Sequence, residues 1–270
     1  MSAKQPVTLA DIVGCIEDFA SPGLQEKWDN TGWQLCPLTP DAPCTGVMLC
    51  LDVTPEVVAE ASAEGCNLII SHHPLIFKGL KHITGASQVE RSVISAITGG
   101  IAVYSSHTAL DSASRGVSHR LGSMLGLADM SVLDPQPGSP ETGLGVIGHY
   151  PEPIPVADFI RRVKEVYGAS VVRRSAGPEG MERVSRVALC SGSGGEFIGT
   201  AIALGADAYI TSDTRYHDFV DFGKKILMVD TGHFESEICT KSIFSAIISE
   251  KFPTFAVRQS RAEQNPVRYV

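Results

Sequence analysis

The chain has 270 residues, 43% of them hydrophobic and 19% charged, a balance that suits a globular protein with ample core. Its net charge of −8 argues against a surface that grips phosphate backbones, so nucleic acid is not an expected partner, while a small anionic substrate held locally is compatible. The opening "MSAKQPVTLADI" has no signal-type apolar core and no segment supplies the roughly 20 apolar residues of a membrane span, so a cytoplasmic protein without a membrane partner is expected.

Thr8, followed three residues later by Asp11, predicts a capping box opening a helix through about Phe19. "GVMLCLDV" reads as a buried strand, and "TPEVVAEASAEG" as a helix with Thr54 as its N-cap and Gly65 as its terminator. The strand "NLIIS", a helix around "VERSVISAIT", the strand "IAVYSS" and a helix around "VSHRLGSMLG" follow. This β-α alternation implies a mainly parallel sheet with right-handed crossovers. From about Ala128 the texture changes, and the Pro- and Gly-rich "DPQPGSPETGLG" reads as a linker or long loop.

A second set follows: "ADFIRRVKEVYG" as helix, "RVALC" as strand, "FIGTAIALG" as helix and "DAYITS" as strand. The strand "KILMVD" then precedes "TGHFESEICTKSIFSAIISEKF", whose apolar spacing is helical, and "TFAVRQS" could be a last strand. The expected class is α/β, with two α/β domains whose mainly parallel or mixed sheets are flanked by helices. The first, metal-binding domain is predicted at 1–127 plus 230–270, and the inserted second domain at 128–229. The seven cysteines form no C-x-x-C pair; several, such as Cys50 and Cys190, sit in apolar runs and read as reduced buried thiols.

"NLIISHHPLIF" places His72 and His73 just past a strand end, where Pro74 stops ladder pairing and where open α/β sheets bind ligands. "IAVYSS" runs into His107 and Asp111, and "KILMVD" into His233, Glu235 and Glu237. These strand exits are expected to share one sheet edge and to bind metal. His233 and Glu237 lie four apart and share a face if the segment is helical, whereas Glu235 points elsewhere. His107 and Asp111 are also four apart, but "HTALD" reads as a loop. Adjacent imidazoles such as His72 and His73 diverge, which favours two ions over one. Imidazole and carboxylate ligands without thiolate suit zinc, iron, manganese or cobalt, with no choice among them.

"SHHPLIF", "HTALD", "TSD" with "YHD", "DTGH" with the following Glu237, and the terminal "NPVRYV" resemble the Nif-three-like family, also called the GTP cyclohydrolase 1 type 2 homologs. "WDNTGWQL" (28–35) and "GSGG" (192–195) resemble its other blocks, in the same order. The resemblance implies a dinuclear centre held by His72, His73, Asp111, His233 and Glu237, within a toroidal homohexamer. The sequence departs from the family pattern at Ala109, Ser212 and Val146, where Asn, Gly and Arg are usual; no implied ligand is lost.

A dinuclear site would activate a water and clamp a hydrolytic transition state. His107 is a candidate acid/base or partner to a ligand, and Asp213 and His217, past another strand end, are further catalytic candidates. The turn at 192–195 could hold an anion through its backbone N–H groups or be purely structural. Trp28 and Asp29 read as core packing or a subunit contact. The expected function is a metal-dependent hydrolase acting on a nucleotide-like or phosphorylated small molecule. The competing reading is a non-catalytic metal-binding scaffold, metallochaperone or regulatory interaction protein.

Overall fold

Helix α1 (Leu9–Phe19) opens on the expected capping box: Thr8 Oγ1 accepts from Asp11 N at 3.0 Å, and Asp11 Oδ2 accepts from Thr8 N at 2.9 Å. A computed structural model of the protein describes residues 6–270; residues 1–5, the start of the expected first domain, lie outside it. After α1 come β1 (Gly32–Leu35), β2 (Val47–Cys50), α2 (Pro55–Ala63), β3 (Leu68–Ser71), α3 (Gln88–Thr98), β4 (Ala102–Ser105) and α4 (Thr108–Ser112). They are followed by α5 (Val117–Leu125), β5 (Ala128–Gln136), β6 (Ser139–Pro155), α6 (Val156–Tyr167), β7 (Arg173–Arg174), β8 (Arg183–Ser193) and α7 (Ile198–Ala203). The last are β9 (Ala208–Ser212), α8 (Tyr216–Phe222), β10 (Leu227–Asp230), α9 (His233–Glu237), α10 (Thr240–Lys251) and β11 (Val257–Gln259).

The chain divides into two α/β units, one running to Leu110 and taking in Thr240–Arg268, the other Asp111–Cys239 with Tyr269–Val270. In the first unit the sheet order is β1-β4-β3-β2-β11, parallel except for β1. Met48, Cys50, Ile69 and Val103 point to one face, where Val57, Val58 and Ala61 of α2 and Val93 and Ala96 of α3 cover them. Leu49, Leu68 and Ile70, one pleat out of step, are equally buried on the other face. Each such Leu or Ile contributes about 1.5–3 kcal/mol by leaving water, and burial on both faces is why these strands show no polar alternation.

The second unit holds a sheet in the order β5-β6-β8-β9-β10-β7, with β8, β9 and β10 parallel. Three sequence expectations change here. Residues 128–155 form the β5–β6 hairpin rather than a loop. Pro135 is tolerated because β5 is an edge strand, and Gly138, at φ +80°, makes the turn. Strand β10 pairs with β9 and β7, and the second unit runs on past it, so residues 230–239, His233 and Glu237 among them, belong to that unit and not to a resumed first domain. The apolar face of α5 packs on β6 and β8, which moves the first crossing from 127/128 to 110/111, inside α4. The second crossing moves from 229/230 to 239/240.

Every cysteine is a free thiol, and among the described residues no helix is long and apolar enough to cross a membrane.

Gly143 adopts φ +144°, and a Cβ there would run into the Asp134 carbonyl and the Pro135 backbone across the hairpin. Gly143→Ala should therefore destabilise the fold by about 1–3 kcal/mol. Thermal melting should show the loss, and an unchanged midpoint would mean that the hairpin register is wrong.

Candidate metal centre

In the first unit the last residues of three parallel strands stand level, Cys50 beside Ser71 and Ser71 beside Ser105. The residues that follow therefore emerge side by side: Asp52 after β2, His72 and His73 after β3, His107 after β4. The ladder continues briefly beyond the strands, since His73 N donates to Leu51 O at 2.9 Å and Ser106 N to Ser71 O at 3.0 Å. The Ser71 and Ser105 hydroxyls, 2.7 Å apart, lock the two exits together.

His72, His73 and His107 each offer a ring nitrogen within 4.8 Å of the others, a group that could hold a metal ion. Their ring centroids lie 5.2–5.5 Å apart. Each ring is held from behind through Nδ1. His72 Nδ1 lies 3.1 Å from Ser106 O, His73 Nδ1 2.9 Å from Asp52 Oδ1, and His107 Nδ1 2.8 Å from Asp29 Oδ1. A carbonyl or a carboxylate can only accept, so Nδ1 carries the proton and Nε2 is the nitrogen each neutral ring has for a ligand.

Asp29 has a more specific place than sequence reasoning gave it. Its side chain is inaccessible, as the packing reading expects, but it is a carboxylate that accepts from the chain around His107 and from Asn30 N and the Thr31 hydroxyl. Besides His107 it accepts from Thr108 N at 3.0 Å and from the Thr108 hydroxyl, which makes it the cap of α4. Burial pushes the Asp29 carboxyl up, but the hydrogen bonds from His107 and Thr108 together outweigh it and hold the group well below the usual carboxylate range. "HTALD" is thus not a loop: Thr108 begins a helix whose cap comes from 79 residues away. Asp52 was also missed, although it stands at a strand exit like the histidines. A cavity of about 690 Å³ lined by Asp52, Thr54, His73, Gln88, Glu263 and Gln264 opens beside it.

The second unit repeats the device at the ends of β9 and β10. His233 opens α9, with Nδ1 2.7 Å from Asp213 Oδ2 and Nε2 2.9 Å from Glu237 Oε2. The helix starts at His233, so the four-residue spacing puts His233 and Glu237 on one face. Glu235 folds back instead, its carboxylate lying over the Cα of Gly232. Asp213 sits in the left-handed region at φ +55°, a position Asp tolerates better than most residues. Its turn is tied down by Thr214 N donating to the buried Asp230 at 2.9 Å.

Asp111 accepts from the Ser191 hydroxyl at 3.3 Å, and Glu237 is buried. Burial pushes the Cys239 thiol up to about 12, with the charges of Glu237 and Asp111 adding to the rise. The same two carboxylates help raise Cys190, so both project negative charge into one buried neighbourhood. Such a field favours a cation.

Two of the four backbone donors of the turn at 192–195 are taken by side chains: Gly192 N donates to Ser236 Oγ at 3.0 Å and Gly194 N to Thr211 Oγ1 at 2.9 Å. Its structural role is specific, because a Cβ on Gly192 would collide with the Glu237 carboxylate. His217 is exposed on α8 with its ring edge on Tyr216, and among the described residues it joins no group of converging donors.

Fold and donor chemistry define the class, an α/β protein in which histidines backed by oxygen acceptors, together with buried carboxylates, could hold metal ions. The chain belongs to the Duf34/NIF3 (NGG1p interacting factor 3) family, whose model matches residues 7–266. It is 37% identical to the GTP cyclohydrolase 1 type 2 homolog of Clostridium perfringens over 85% of this chain and 86% of that protein. It is 32% identical to the one from Lactococcus lactis over 96% of this chain and 98% of that protein. Among solved structures, Staphylococcus aureus hypothetical protein SA1388 superposes with a TM-score of 0.88 at 26% identity, covering 98% of this chain and all of that one.

The depressed Asp29 carboxyl gives a pH test. A folded-state pKa below the unfolded value contributes stability above about pH 4, and that contribution is lost as pH falls toward the folded value. The stability gap between wild type and Asp29→Asn should shrink as pH falls below about pH 4 in denaturant titrations. A gap independent of pH would contradict an ionised Asp29.

Proposed function

We propose that the chain is a metal-dependent hydrolase acting on a nucleotide-like or phosphorylated small molecule. Two divalent ions, zinc, iron, manganese or cobalt, would be held by His72, His73, Asp111, His233 and Glu237. The observation that carries the reading is the group of three imidazoles in the first unit, each with Nδ1 committed to an oxygen acceptor. Assigning His233, Glu237 and Asp111 to the same centre rests on the family's motif pattern. The relatives' name points toward a purine nucleotide and supports the substrate class by analogy only.

The donor set fits such ions, being nitrogen and oxygen with an acceptor behind each ring. Ions bound there would supply Lewis-acid activation of a carbonyl or phosphoryl group. The chain's own residues do the rest. Asp29 holds His107 in the orientation and tautomer that let Nε2 take up or deliver a proton. Asp52 and Asp213 keep His73 and His233 from rotating, and the cavity beside His73 has the size of a small-molecule site. His217 has no part in this proposal. A cytoplasmic homohexamer is proposed from the family resemblance. A second reading, a non-catalytic metal-binding or interaction protein, draws support from the family's description as an interacting factor.

Metal analysis after reconstitution with Zn²⁺ should find about two ions per chain, with Glu237→Gln losing most of one and Glu235→Gln losing none. Equal loss in both variants would refute the assignment on α9. Screening the loaded protein against nucleotides and phosphoesters, with Asp111→Ala as control, decides between the readings. Turnover that Asp111→Ala abolishes supports the hydrolase. No turnover with metal fully bound supports the interaction protein.

A further inference from the structure

Trp28 and Phe77 stand 61% and 47% exposed, large rings that the core does not use. Both meet the histidine group edge-on: Trp28 lies 6.0 Å from the His107 ring at 71°, and Phe77 lies 6.2 Å from it at 85°. They also meet each other at 6.1 Å and 68°. Edge-to-face contacts of this kind are favourable, and with about half of each side chain exposed ring surface stays accessible.

The backbone beneath the two rings is held tightly. On the Trp28 side, Asp29 is anchored to His107 and Thr108, Asn30 N donates to Asp29 Oδ1 at 2.7 Å, and Thr31 N donates to Gln25 Oε1 at 2.9 Å. On the Phe77 side, both backbone groups of Ile76 are clamped. Its N–H donates to Gln34 Oε1 at 3.0 Å, and its carbonyl accepts from Asn30 Nδ2 at 2.7 Å. These bonds hold the backbone next to each ring, while the rings themselves stay exposed. Lys27 and Lys78 flank the pair in sequence and are exposed, in a chain whose net charge is −8.

We propose that Trp28 and Phe77 form a wall that stacks the planar heteroaromatic ring of the substrate beside His107, with Lys27 and Lys78 placed for its phosphate. Any base has a π-face, so stacking on an exposed aromatic gives affinity for a ring without demanding one base. The adjacent ammonium groups attract the anionic end. The inference rests on the small-molecule reading above and deepens it.

The test is calorimetric binding to the Zn²⁺-reconstituted protein, read without turnover. Guanosine, adenosine and cytidine 5′-monophosphates are each compared with ribose 5-phosphate, which has the same phosphate and no ring. Wild type should bind each nucleotide about tenfold or more tighter than ribose 5-phosphate. Trp28→Ala should erase most of that ratio while Trp28→Phe keeps it, with metal content and circular dichroism unchanged in both. Phe77→Ala should reduce the ratio in the same direction. No preference for the bases in wild type, or a ratio untouched by Trp28→Ala, overturns the proposal. A change in light-scattering mass with the ratio untouched would show that the wall is covered by a second copy of the chain, and overturns it as well. If ring preference is found without hydrolysis, the hydrolase reading fails and this wall stands. Hydrolysis of ribose 5-phosphate without ring preference would do the reverse.

Discussion

Each imidazole at the strand ends commits Nδ1 to an oxygen, and that bond decides which nitrogen remains to meet a ligand. A histidine without such a partner can rotate and can change tautomer; one with it presents Nε2 in a fixed direction. His73, His107 and His233 use the carboxylates of Asp52, Asp29 and Asp213, and His72 uses the carbonyl of Ser106.

Parallel strand register is what brings these partners within reach. Strands that end level deliver consecutive exits side by side, so Asp52 meets His73 without any special loop. The second unit uses the same rule: Asp230 beside Thr211 brings the exits with Asp213 and His233 together. The apolar strands make this reliable, because slipping the register of a strand buried on both faces would misplace every side chain along it. Burying a carboxylate such as Asp29 runs against desolvation, and the fold offsets it with donors from His107 and Thr108.

Much of this was legible in the sequence, for identifiable reasons. Continuous apolar runs identified β2, β3, β4, β9 and β10, and the residues after them supplied four histidines. What failed was non-local. The expected boundary fell at the end of β10, and only the folded chain shows that α9 stays with the second unit, where His233 meets Asp213. The β5–β6 hairpin hid behind Pro135 and its glycines, which an edge strand can absorb. Helix α4 is too short for an apolar period, and its cap, Asp29, is remote in sequence. Asp52 was within reach, since the strand-exit rule that selected His72 selects it too; attention to histidines alone passed it over.

Metal binding at these strand ends turns on which ring nitrogens face the ion. X-ray diffraction from Zn²⁺-reconstituted crystals, with anomalous data at the zinc edge, would place the ions and the rings directly. The account predicts zinc bonded to Nε2 of His72, His73 and His233 at about 2.0–2.1 Å, with Nδ1 still bonded to Ser106, Asp52 and Asp213. Zinc bonded to any of these rings through Nδ1, or anomalous density remote from the strand ends, would contradict it.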